Sequence, residues 1–253
     1  MQLLIFIYGL LIGSFLNVCI YRIPKEESIA FPSSHCPKCN TSLKWYDNIP
    51  VFSYISLSGK CRYCKSKISP QYPLIELSNP IIYLLLFYKF NFTVDFIFYA
   101  LIASTLIIII IIDFKEMIIP DSLVISILVL SILHKAISYS INKTPINLLD
   151  SIGGLILSGA LFILIILISK GGMGGGDATL IGSLGFILGI KNIFLTIFLS
   201  FILGAIISIF LLITKIKGKK DPIPFGPFII LGFTITLFWG ERLINWYINM
   251  FFI

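Results

Sequence analysis

Apolar blocks recur from one end of the chain to the other, separated by short polar joints and by one long polar stretch. They run Leu3 to Ile20, Leu74 to Phe90, Val94 to Ile112, Ile118 to Ile137, Ile146 to Ser169, Ala178 to Ile190, Ile193 to Ile216 and Phe225 to Ile248. Seven are long enough to cross roughly 30 Å of hydrocarbon as helices. The pattern therefore predicts an all-α polytopic membrane protein of about eight spans. The sixth block is short, because its 13 residues reach only about 20 Å at the helical rise. It follows Gly171 to Asp177, GGMGGGD, whose glycines let a backbone bend where side chains would not fit. Gly182, Gly185 and Gly189 within the block suit a helix packed tightly on its neighbours. The long polar stretch divides the chain into a first helix at 1–21, a loop at 22–72 and a membrane-embedded core at 73–253.

Composition supports the membrane assignment and charge adds an orientation. Hydrophobic residues make up 57% of the chain and charged residues 12%, against about 25% charged in soluble domains. The net charge of +7 is no nucleic-acid signature, since eight of the 19 basic residues fall in the one early loop, as on a cytoplasmic membrane flank. The first block has no basic residue before it and Arg22 and Lys25 after it, which predicts a retained anchor with its N-terminus outside. With eight crossings, 14 basic residues lie on the cytoplasmic side and 5 outside. Dropping the sixth span would put the loop with Lys215, Lys217, Lys219 and Lys220 outside, against the positive-inside rule. The same count brings Asp113, at the exit of the third span, and Asp177, at the entry of the sixth, to the cytoplasmic end.

Two constellations could carry chemistry. Cys36-Pro-Lys-Cys39 and Cys61-Arg-Tyr-Cys64, 21 residues apart, form two knuckles of the kind that build a closed tetrahedral zinc–thiolate site. Disulfides are the alternative, and a reducing cytosol disfavours them. His35 reads as a surface neighbour and Cys19, alone in the first span, as a packing residue. The second constellation is Asp113 and Asp177. Taken singly, Asp113 could be an interfacial group beside Lys115, and Asp177 a helix cap after the glycine turn. Asp121, directly after Pro120, fits a first-turn role of that kind. Yet an aspartate at the centre of a membrane helix costs about 2.5 to 3.5 kcal/mol, so two on one side suggest function. A pair of carboxylates sharing one proton can hydrolyse an amide: one activates a water while the other donates a hydrogen bond to the scissile carbonyl.

Ordered motifs extend these pairs over nearly the whole chain: GSFLNVCIYRIP from Gly13, the two CxxC knuckles, NIPVFSYISLSGKC from Asn48, ISPQYPLIEL from Ile68, DFKEMIIPD from Asp113, GGGDATL from Gly174 and PFGPFIILG from Pro224. In this order they resemble the type IV prepilin leader peptidases, bifunctional membrane enzymes that cleave prepilin leaders and N-methylate the new terminus. The resemblance implies Asp113 and Asp177 as catalytic aspartates in an intramembrane fold related to the presenilin-type GxGD proteases. It also implies S-adenosylmethionine as methyl donor, with Glu76 the candidate for donor binding and the loop linked to methyl transfer. Prepilins or pseudopilins of type IV pilus and protein secretion systems are the implied substrates, cleaved after the glycine that ends a short basic leader. The implied location is the bacterial cytoplasmic (inner) membrane, with zinc loop and active site facing the cytoplasm. Departures from the pattern are Thr179, where many members carry lysine, and Pro80, where a small residue is common. Two other classes compete: a secondary transporter with intramembrane carboxylates, and a non-catalytic membrane assembly protein docking partners through its zinc loop.

Overall fold

The structure is a computed structural model that describes all residues except 144–146, 170–171, 219–220 and 252–253, together with the side chains of 142 and 251. Lys170, Lys219 and Lys220 of the charge count, Gly171 of the glycine run and Ile146 at the start of the fifth block lie outside the described residues. The chain forms helices α1 (Gln2–Arg22), α2 (Phe52–Ser56), α3 (Gln71–Phe90), α4 (Val94–Glu116), α5 (Asp121–Asn142), α6 (Leu148–Ile168), α7 (Gly175–Ile213) and α8 (Gly226–Phe251). Each apolar block falls on a helix, and the described residues contain no strand beyond two isolated bridges in the loop. Six helices, α1 and α4 to α8, are long and apolar enough to cross a membrane. The remaining long helix, α3, carries Glu76, Asn79 and Pro80 in its interior.

The sixth and seventh blocks emerge as the single 39-residue α7, about 58 Å at the helical rise and nearly twice the hydrocarbon thickness. It is broken at Gly189, whose φ of 74° and ψ of 177° leave helical space. The polar pair Lys191–Asn192, where the hydrophobic pattern places the joint, lies beyond the break on the next helical turn. Glycine decides the position because a side chain there would meet a positive φ and the Asp150 carboxylate at once. Asp150, in the first turn of α6, accepts a hydrogen bond from the Ile190 N–H at 3.0 Å and so caps the second half of α7. Asp150→Ala is expected to destabilise the fold by about 1–3 kcal/mol by orphaning that amide. The check is a lower melting temperature with faster deuterium exchange at Ile190, and Asp150→Asn, which keeps an acceptor, should recover much of the loss.

The chain divides into two compact units, 1–108 and 109–253. In the first, α1 and α3 run antiparallel in a register that repeats every four residues. A Cβ on Gly9 would lie 2.5 Å from Pro80 Cα, and one on Gly13 would lie 2.9 Å from Glu76 Cα. Asn17, the next residue on that stripe, donates to the Tyr72 carbonyl at 3.2 Å. Asn79 closes the pairing by donating to the Gly9 carbonyl at 2.9 Å, and accepts from Ser104 at 3.0 Å. Small residues thus bring two backbones together and side-chain amides bind the exposed carbonyls, the usual means of joining helices in lipid. The loop is tied to this pair at both ends. Buried Arg22 donates to the carbonyls of Ser28 and Pro32 at 2.9 and 2.7 Å, and Glu76 accepts from the Val51 N–H at 2.7 Å.

In the second unit α6 packs antiparallel on the first half of α7 by backbone contact between Gly154 and Gly185, with Ser158 donating to the Ile181 carbonyl at 3.2 Å. The second half of α7 runs antiparallel to α8, where a Cβ on Gly232 would lie 2.5 Å from Ser200 Oγ. Phe225, just before α8, stacks among Phe162, Phe201 and Phe228 at ring separations of 5.2 to 6.1 Å. These contacts bring the starts of α7 and α8 to the end of α4.

Candidate active site

Three short segments distant in sequence converge in the second unit. The first is the end of α4, where Asp113 precedes a left-handed residue, Met117 at φ 54°, whose N–H bonds back to the Asp113 carbonyl at 3.0 Å. The chain then passes Ile119 and enters α5 through Pro120, with Asp121 in the first turn as its sequence position predicts. The second segment is the glycine turn into α7, which places Asp177 at the third helical position. There its Oδ2 accepts the Gly174 N–H at 3.3 Å. The third is Pro224–Phe228, where α8 begins.

Asp113 stands at the carboxyl end of its own helix, yet its carboxylate meets the amino end of another. Its Oδ2 accepts the Gly226 N–H at 3.0 Å, one of the free donors at the start of α8. No acidic residue of α8 itself occupies that first turn, so Asp113 supplies the negative charge the helix dipole favours. The fit requires glycine, because a Cβ on Gly226 would lie 2.5 Å from Asp113 Oδ2. Gly176 has a parallel role: a Cβ there would lie 2.8 Å from Ile119 Cβ. Ile119 also borders Gly226, so a single side chain spaces the entry of α7 from the entry of α8. Asp113 is 5% exposed and Asp177 7%, and Asp113 lies within electrostatic reach of Asp177. Among the described residues neither carboxylate has an ion-pair partner. Lys115 is exposed, and Thr179 turns its hydroxyl back to the Gly176 carbonyl at 3.0 Å. Two buried carboxylates without cations, each held by a helix-terminal N–H, form a centre able to bind and polarise a water or a carbonyl.

Gly226 is the residue that reading the sequence for chemistry passes over. The available signal was PFGP, a glycine between prolines at the start of an apolar block, which marks a helix entry without saying what docks there.

The four loop cysteines come together in the first unit, with sulfurs all within 4.8 Å of one another, a group able to hold a metal ion. The two knuckles are built alike. The N–H of Cys36 bonds to the Thr41 carbonyl at 3.0 Å and that of Cys61 to the Ser66 carbonyl at 2.8 Å. The residues after each second cysteine, Asn40 and Lys65, are left-handed at φ 54° and 59°, and the bridges His35–Ser42 and Lys60–Lys67 close each turn. Cys36 and Cys64 sulfurs are 3.9 Å apart, close to the about 3.8 Å that tetrahedral thiolates at about 2.3 Å from zinc require and far from a disulfide's about 2.05 Å. The Ser66 hydroxyl, followed by its backbone, holds the Cys64 thiol down to about 6, so it is largely thiolate at neutral pH. His35 turns to the Ser33 carbonyl at 3.1 Å, and Cys19 is buried in α1. Asp47 braces the second knuckle, accepting from Arg62 at 2.7 Å and Tyr63 at 3.0 Å. Glu76, buried in α3, gives its Oε2 to the Val51 amide.

Comparison with known proteins covers both units. Residues 7–90 match the family model described as the bacterial peptidase A24 N-terminal domain, and residues 100–209 match that of the type IV leader peptidase family. Proteins called prepilin leader peptidase/N-methyltransferase are similar over almost their full length. That of Legionella pneumophila is 32% identical over 98% of this chain and 95% of its own. The Bacillus subtilis protein is 32% identical over 98% of both chains, and the Pseudomonas aeruginosa protein 32% over 95% of this chain and 91% of its own. No solved structure matches.

Proposed function

The chain belongs to the type IV leader peptidase family, and from that premise we propose that it is a prepilin leader peptidase and N-methyltransferase whose protease centre is Asp113 and Asp177. The observation that carries the reading is the meeting of these two buried carboxylates at the entries of α7 and α8. In the protonation state that serves hydrolysis, the pair holds one proton. The ionised carboxylate takes a proton from a water as its oxygen attacks the scissile carbonyl carbon, while the protonated one donates to the carbonyl oxygen. Collapse of the tetrahedral intermediate breaks the C–N bond and passes a proton to the departing amine. The N–H groups of Gly174 and Gly226 hold the carboxylates in place throughout, and the apolar wall around Phe225 limits bulk water.

Prepilins and pseudopilins, with a basic leader ending in glycine before an apolar helix, are the substrates this centre suits. The protein is a multi-pass membrane protein, and the charge bias supports the bacterial inner membrane with the loop and aspartates at the cytoplasmic face. A leader retained in the cytosol then presents its junction beside both aspartates. We assign the peptidase to 73–253 and a supporting part in methyl transfer to 22–72, with S-adenosylmethionine as the methyl-donor substrate and Glu76 the candidate for holding it. Cys36, Cys39, Cys61 and Cys64 fit a structural zinc ion, which would fix the loop. One zinc per chain is expected by atomic emission. Stripping it with a chelator should raise deuterium uptake over 36–67 while the melting of the helical core stays unchanged; a core that melts with the metal would count against a local role.

The direct test presents purified protein in lipid with a peptide of basic leader, glycine and apolar helix, and reads the products by mass spectrometry. Release of the leader, followed by a mass gain of one methylene on the mature terminus when S-adenosylmethionine is added, is the expected result. Intact substrate after incubation with folded protein would sink the protease assignment.

A further inference from the structure

The loop between α1 and α3 carries a surface that neither the aspartates nor the cysteines account for. Trp45 is 79% exposed, Phe52 66% and Ile55 68%. Trp45 opens a short 3-10 turn, Trp45–Asn48, that packs against α2, and Phe52 and Ile55 lie on α2 itself. Large apolar side chains on adjoining elements would be a liability in water. Their depth gives them another setting. The Val51 N–H, immediately before α2, bonds to Glu76 at 2.7 Å. Glu76 is the sixth residue of α3, about 7.5 Å along the helix from its start. Leu74, nearer the start than Glu76, is already an exposed apolar residue of α3. Even with the backward tilt of helical side chains, Val51 meets α3 within its first turns, where the apolar surface has begun. The same segment is anchored on α1 by way of Asn17 and Tyr72.

We propose that the segment from Trp45 to Ser56 lies in the headgroup layer of the membrane, with Trp45, Phe52 and Ile55 as its apolar anchors and an anionic lipid surface as its partner. Charge selects that partner. Residues 22–72 hold eight basic and three acidic side chains, and Lys44 and Lys60 flank the apolar segment. Tryptophan and phenylalanine beside lysine are the side chains that sit at the boundary between hydrocarbon and headgroups. The segment thereby fixes the height of the cysteine knuckles above the bilayer, a role independent of either catalytic assignment.

The test uses the full chain with Trp239→Phe and Trp246→Phe, which leaves Trp45 as the one tryptophan of three, in liposomes of ordinary or brominated lipid. Lipid brominated just below the headgroups is expected to lower Trp45 emission at least about twofold, with weak quenching by aqueous iodide. Strong iodide quenching and no effect of brominated lipid overturns the proposal. So does protection from iodide that arises only when a leader peptide is added, since the occupant would then be the substrate. The unaltered chain gives a second reading, free of any folding defect in the variant. Deuterium uptake over 45–57 should be severalfold slower in nanodiscs containing roughly a third phosphatidylglycerol than in phosphatidylcholine alone. Equal uptake in the two lipids overturns the anionic preference.

Discussion

Asp113→Asn and Asp177→Asn are each expected to lower leader cleavage by about a thousandfold or more, with no loss of fold. Asparagine is isosteric and keeps an acceptor oxygen, so the bonds from the Gly226 and Gly174 N–H groups can survive at the 3.0 and 3.3 Å now seen. What it removes is the ability to take a proton from water or to hand one to the carbonyl. Because the two carboxylates work as one unit, the double variant should be scarcely worse than either single variant. Mass spectrometry of leader release measures this, and methylation of a substrate already cleaved provides the control. A variant that still methylates but does not cleave has lost chemistry and kept its structure. Full cleavage by both variants would return the choice to a transporter or an assembly protein.

Gly226→Ala should be nearly as damaging although it adds one methyl group far from any scissile bond. That methyl would lie 2.5 Å from Asp113 Oδ2 and 3.2 Å from Ile119 Cδ1, well inside van der Waals contact. The backbone of α8 is held from behind by Phe225 against Phe201, rings 5.2 Å apart, so the carboxylate is the part that gives way. A shift of about 1 Å in a reacting group can cost about a hundredfold in rate, and a loss of that order in kcat is expected. The binding constant for substrate should change much less. Gly175→Ala, where an added Cβ meets nothing within 4 Å, is the matched control and should leave cleavage close to normal. Equal losses at 175 and 226 would mean that glycine is needed for flexibility and not for the approach of Asp113.

Much of this was legible before any coordinates. Spans of apolar residues give helices in lipid almost without ambiguity, since a membrane-crossing backbone must satisfy its own hydrogen bonds. The CxxC knuckles carry their geometry in their spacing, and their sulfurs gather as expected. The break in α7 was harder to place. Polarity points to Lys191–Asn192, but the chain bends at Gly189, because a carboxylate 39 residues earlier caps the helix there. Glu76 shows the converse. A charge at a helix entry could mean ligand binding or solvation, and only the folded chain reveals its bond to the Val51 amide, which brings the loop down to the membrane.

The sequence by itself determined that this is a helical membrane protein with a four-thiolate loop and two aspartates on one side, because periodicity, spacing and charge bias are local or additive properties of a chain. Tertiary structure alone decided that Asp113 faces the amino end of α8 and not the end of its own helix. It also decided which glycines matter, where α7 breaks and how deep the loop sits. Each of these depends on which backbone approaches which, and a glycine records only that something comes close.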